Sequence, residues 1–127
     1  MYFTFNNANS RDFNIKIKKT NHLSIPRKKL EFIEVQGRTD NLIIDEGSRE
    51  MLDIEIEAYI DCRDLDTKAY ALRLDNWLNN TKGYADLVFD DNTTLKAIFV
   101  GQIDFNAIVK NFNEILLQFK AYRESDL

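Results

Sequence analysis

From Leu52 to Ala58 apolar and polar residues alternate without a break, within a run that extends from Met51 to Asp61. Leu52, Ile54, Ile56, Ala58 and Ile60 fall on one side of an extended chain, and Asp53, Glu55, Glu57 and Tyr59 on the other. That is the pattern of a strand with one buried face. The same period governs Asp12 to Lys19, where Phe13, Ile15 and Ile17 oppose Asn14, Lys16 and Lys18. It returns in Ala85 to Phe89, in Leu95 to Phe105, and in Phe112 to Tyr122, whose Ile115, Leu117, Phe119 and Ala121 predict an inward row. Tyr2 to Phe5 is a short apolar opening, and Leu42 to Asp45 a short strand. Lys29 to Val35 differs, with Leu30 and Phe32 on one side and Ile33 and Val35 on the other. A strand apolar on both sides is expected to be central or covered on its second face.

Between these runs lie turn compositions: Asn6 to Ser10, Thr20 to Lys28 around Pro26, Gly37 with Arg38 to Asn41, Gly47-Ser48, Asp90-Asp91-Asn92 and Asn106 to Asn111. After Asp61 the period lengthens to about 3.6, since Tyr70, Leu74, Trp77 and Leu78 recur at helical spacing. The spacing predicts one helix over about 66–81, capped by Asp64 or Asp66 and closed by Lys82-Gly83. Its stripe, with Ile54 and Ile56 of the long strand, predicts a helix-to-sheet core. About seven strands around one helix define a mainly β, α+β class. The expected architecture is an antiparallel β-sandwich or rolled sheet with the helix on its flank.

At 127 residues the chain has the length of a single domain over 1–127. The lone cysteine, Cys62, allows no internal disulfide and suits a reducing cytoplasm. The first residues lack the basic and apolar regions of a signal peptide, and no apolar run approaches a membrane span, so the chain reads as soluble without a membrane partner. Charge is uneven: residues 1–40 hold eight Lys/Arg against four Asp/Glu, and residues 41–127 hold nine against seventeen. Such halves are either separate solvated faces or complementary surfaces that orient head-to-tail association.

Few groups suggest chemistry. The four glycines are scattered, and no HExxH, GxSxG or CxxC occurs. Asp61, Asp64 and Asp66 lack the glycine and closing glutamate of a calcium loop, so helix capping explains them better than a metal. Asp90 and Asp91 have no accompanying base or nucleophile. His22, the one histidine, reads as a surface residue. Lys16, Lys18, Lys19, Arg27, Lys28 and Lys29, with Phe13 and Phe32, form a phosphate-binding set on paper. The aromatics alternate with core positions and the net charge is −4, so no sequence-specific nucleic-acid role is expected. Neither an enzyme, a cofactor nor a metal is predicted.

Several pieces in order carry a resemblance: EVQGRTDNLIIDEG, MLDIEIEAYI, AYALRLDNWLNN, YADLVFDDNTTLKAIFVGQIDF and NEILLQFKAYR. Together they resemble the N-terminal domain of the distal tail protein family of long-tailed, non-contractile bacteriophages and prophages. The second glycine that often follows that family's glycine-arginine turn is replaced here by Asp40 or Asn41. The resemblance implies a virion tail component that forms a ring, typically a hexamer, around a channel for DNA. Its partners would be copies of itself, the tail tube, and the tail-tip or baseplate proteins. On this reading Gly37, Arg38, Leu42, Ile43, Ile44 and Asp45 are the expected oligomer interface, with Arg38 equally readable as a turn-stabilising residue. The alternative is a monomeric carbohydrate-binding β-sandwich using Trp77 or exposed tyrosines as stacking platforms.

Overall fold

The computed structural model describes residues 1–63, 65–109 and 112–126. It is mainly β with one helix. The strands are β1 (Phe3–Phe5), β2 (Ala8–Asn9), β3 (Ile15–Thr20), β4 (Lys28–Ile33), β5 (Leu42–Arg49) and β6 (Leu52–Asp61), then, after helix α1 (Thr67–Asn79), β7 (Ala85–Phe89), β8 (Thr94–Val100), β9 (Asn106–Val109) and β10 (Phe112–Tyr122). Every pairing is antiparallel. The main sheet runs β2-β1-β7-β8-β10-β6-β3, and β4 and β5 form a separate two-stranded sheet.

The spine is the pairing of the two longest alternating strands. β6 and β10 match from Asp61 opposite Phe112 to Leu52 opposite Ala121. This register sets Ile54, Ile56, Ala58 and Ile60 beside Phe119, Leu117, Ile115 and Asn113, and buries the apolar row of both strands on one face. A slip by one residue would turn that row to solvent, so the alternation itself fixes the pairing. The far side of β10 is shared end to end by β8 and β9. Five residues, 101–105, bridge them opposite only three of β10, so the expected single strand from Leu95 to Phe105 is interrupted after Val100. Residues 106–109, expected as part of a reversal, resume it as β9, while Lys110 and Asn111 of that expected reversal lie outside the described residues.

Of the two architectures expected, the sheet adopts the rolled one. Seven strands at about 4.8 Å spacing would set the edges of a flat sheet about 29 Å apart. Yet edge strands β2 and β3 are joined by residues 10–14 alone, a link that spans about 20 Å even when extended. It is not extended: Ser10–Phe13 is a 3-10 turn, capped by the Asn9 side chain at the Arg11 amide and ended by Asn14 in the left-handed region at φ 57°. This is why the expected strand from Asp12 begins only at Ile15. The rolled sheet stays open, with no pairing between β2 and β3.

Helix α1 lines the interior of the roll. Asp66 caps it by accepting from the amides of Lys68 and Ala69, and it ends at Asn80, short of the expected Lys82-Gly83 close. Tyr70, Leu74, Trp77 and Leu78 are all buried, as are Ile54 and Ile56. Trp77 stacks with Phe13 at 4.2 Å and 8°, and with Phe3 at 5.7 Å and 15°; its Nε1 donates to the Phe5 carbonyl at 2.7 Å. The Tyr70 hydroxyl donates to the Phe13 carbonyl at 2.5 Å, and burial pushes its pKa above the usual phenol range. Trp77→Ala is therefore expected to cost about 3–5 kcal/mol in urea unfolding. Leu72→Ala, on the opposite helix face at 59% exposure, should stay within about 0.5 kcal/mol of wild type.

Candidate assembly surface

Strands β4 and β5 form an arm. Every residue from 27 to 47 is exposed, and neither strand pairs with the main sheet. Lys29 to Val35, expected to be central or covered, is neither: among the described residues nothing covers it. The arm is held by its own ladder, with Leu30 opposite Asp45, Glu31 opposite Ile44, Phe32 opposite Ile43 and Ile33 opposite Leu42. Below Leu30 the register slips, and β5 bulges through Glu46 and Gly47. Gly47, at φ 75°, brings its amide 2.9 Å from Asp45 Oδ1, a conformation that side-chain-bearing residues rarely adopt.

The tip holds Gly37 and Arg38. The Arg38 amide donates to the Val35 carbonyl at 3.1 Å, with Gly37 between them at φ 81°. The Arg38 guanidinium forks onto Asp40, Nη2 to Oδ2 at 2.7 Å and Nε to Oδ1 at 3.1 Å, so it braces its own turn. Asp40 and Asn41 keep negative φ, and the turn closes without a second glycine. Gly37, Arg38, Leu42, Ile43, Ile44 and Asp45 thus all lie on one hairpin. Sequence reasoning left out Leu30, Phe32 and Ile33, which share it. Their two-sided apolar pattern predicts a strand that is central or covered on its second face, without saying by what.

The root of the arm is fastened to the body. The Asn21 side chain donates to the Asp53 carbonyl at 2.9 Å and accepts from the Glu55 amide at 2.8 Å, mimicking a strand along the start of β6. Pro26 is buried, its carbonyl accepts from Arg49 Nη1 at 3.4 Å, and the Glu50 amide donates to the Arg27 carbonyl at 2.7 Å. His22, expected at the surface, is only 6% exposed. Its ring stacks on Phe89 at 4.2 Å, and Nε2 donates to Asp91 Oδ2 at 2.7 Å. The expectation failed because the partners, in the turn after β7, are distant in sequence.

The remaining candidates resolve into structural roles. Asp66 is the helix cap and Asp61 pairs with Arg63, while Asp64 lies outside the described residues. Asp91 accepts from the Thr93 amide within the β7–β8 turn, where Asn92 has φ 69°. Among the described residues no cluster of His, Cys, Asp or Glu is arranged to hold a metal, and no helix is long and apolar enough to cross a membrane. A cavity of about 410 Å³ between α1 and residues 101–105 is lined mainly by Leu74, Leu78, Phe99, Ile103 and Phe105, with Asp75 as its one ionisable side chain among the described residues. Trp77, 6% exposed and stacked on two rings, presents no face to a sugar. Phe13 is likewise occupied, which separates it from the lysines it was grouped with.

Comparison by sequence matches no family model and no curated protein. Comparison by structure does find a match: the crystal structure of the Dit protein (gp 19.1) of phage SPP1, titled a paradigm of the hub adsorption apparatus in phages that infect Gram-positive bacteria, superposes with a TM-score of 0.77 at 14% identity, over 94% of this chain. The chain shares its fold with SPP1 Dit. It spans 48% of that protein's length.

Two carboxyl groups make the body sensitive to acid. The His22 imidazole, followed by the Thr93 hydroxyl and amide, holds Asp91 at about 2, and the Arg63 guanidinium does the same for Asp61. A carboxyl whose pKa is depressed on folding contributes stability above its unfolded value near 3.8, and loses it as pH falls toward 2. Melting temperature is therefore expected to drop between pH 4 and 2. Asp91→Asn should flatten that slope, read from thermal unfolding across the same window.

Proposed function

We propose that this chain is a structural component of a phage or prophage tail. It acts as one subunit of a ring, a hexamer in the form its resemblance implies, that joins the tail tube to the tail tip or baseplate. Residues 1–127 constitute the ring-forming domain, and the protein is assembled from the host cytoplasm into the virion. The work it does is positioning and no enzymatic chemistry is assigned to it. The fold shared with SPP1 Dit supports the tail role.

The arm carries the assembly part of this reading. An isolated two-stranded hairpin is marginal in water, and one with Phe32 at 59% and Ile43 at 57% exposure forms an apolar patch that a monomer seldom leaves open. Rings arise when a surface on one copy meets a different surface on the next, and a projecting arm is suited to such a contact. Gly37 and Arg38 shape its tip, and Leu42, Ile43, Ile44 and Asp45 lie along its contact strand.

The full chain is expected to associate with rising concentration, giving rings in negative stain and an oligomeric mass by light scattering. Replacing residues 28–49 with a short Gly-Ser link should leave a folded monomer. A wild-type chain that remains monomeric at high concentration would overturn the ring reading.

A further inference from the structure

The arm has two faces, and each carries three large apolar side chains, beside Asp45 on one and Glu31 on the other. Residues opposite each other in an antiparallel ladder share a face, so Leu30, Phe32 and Ile43 lie on one side, and Ile33, Leu42 and Ile44 on the other. All six are exposed. A hairpin lying on a neighbour's surface needs only one apolar face, with polar residues toward water. β6 of this chain shows that alternation, its acidic row outside and its aliphatic row inside. The consecutive Leu42-Ile43-Ile44 breaks it, as strands covered on both sides do.

Area leads to the same conclusion. Taking the roughly 150–250 Å² of an aromatic side chain as an upper bound for Leu and Ile, and about half of it as open, three residues on one face supply at most about 300 Å². A standard interface takes about 800 Å² from each partner. One face falls well short, and the two together, at about 600 Å², reach the lower end of the standard range.

Resting on the reading of the arm as the assembly element, we propose that both of its faces are covered by neighbouring copies of this chain, so that the arm is an interior layer of the assembly. The backbone supports this placement: the two-stranded sheet leaves an outer edge on each strand with no ladder partner among the described residues, open to pairing by an adjacent copy.

Ile43 and Ile44 provide the test, being the same residue type on adjacent positions of one strand and pointing to opposite faces. In the full chain, Ile43→Glu and Ile44→Glu are each expected to raise the concentration of half-assembly at least about 10-fold, measured by analytical ultracentrifugation. The melting temperature of the body should stay unchanged, because neither residue belongs to the core. If one variant assembles like wild type while the other fails, the two-sided contact is overturned and a one-sided arm remains. If both assemble like wild type, the arm is not the assembly element and the reading beneath the proposal falls with it. Should a glutamate variant fail to fold, Ile43→Ser and Ile44→Ser carry the same comparison, with the same outcomes deciding it.

Discussion

The hydrogen bonds from Trp77 to the Phe5 carbonyl and from Tyr70 to the Phe13 carbonyl hold the architecture together. Both acceptors lie in the N-terminal segment, one at the end of β1 and the other at the end of the 3-10 turn that leads to β3. The helix thereby grips β1 on one side of the sheet and, at Phe13, the link that leads to the opposite edge. Without that grip β1 and β2 would be a short hairpin held only by the three-residue ladder of β1 to β7 and its flanking backbone bonds. With it, Phe3 and Phe5 are carried over Phe119 in the middle of the sheet, at 6.4 and 5.0 Å between ring centroids. Strands three places apart can touch in this way only if the sheet curls. The roll is thus a consequence of aromatic packing and two buried hydrogen bonds, with no need for closure of the ladder.

The arm stands outside this system of constraints. It contributes none of the buried core, and its stability rests on one ladder, a braced tip and the clamp at its root. Asn21 and His22 fasten that root to two parts of the body, the start of β6 and the β7–β8 turn, while the Pro26 carbonyl ties the two legs of the arm together through Arg49. The chain therefore separates the problem of folding from the problem of association. A substitution at Trp77 acts on the body, and one at Ile43 acts on whatever covers the arm. Additivity between the two sets follows, because no side chain is shared between them.

How far the sequence could be read depended on where the partners of each residue lie. β6, β10 and α1 were legible because periodicity is local and their burial obeys it. The β1–β2 turn was legible in principle: Asn6 and Asn7 both take positive φ, and asparagine is among the few residues that tolerate it. The 3-10 turn at Ser10–Phe13 was masked by the apparent alternation of Phe13 with Ile15 and Ile17. His22 could not be placed at all, since Phe89 and Asp91 come to it from almost 70 residues away. For the interface, Gly37, Arg38 and Leu42 to Asp45 were named from a resemblance. Leu30, Phe32 and Ile33 were missed because a strand apolar on both sides reads as central or covered, and the pattern does not say what covers it.

The uneven charge takes on a different meaning in three dimensions. The basic first third and the acidic remainder suggested complementary surfaces on successive copies, yet part of that complementarity is used within the chain. Lys18 reaches Glu114 at 3.3 Å, closing a pair between β3 and β10 across the outer face of β6, and Lys120 pairs with Asp53 on the same face. Arg38 spends its charge on Asp40 two residues away. Exposed pairs of this kind contribute little to stability, but each one reduces the net charge left to steer a neighbour. Along the arm acids and bases are interspersed between Leu30, Phe32, Ile33, Leu42, Ile43 and Ile44, all of them exposed. Association through it should therefore be governed by apolar burial, with charge setting orientation at most, and should weaken only modestly as salt is raised.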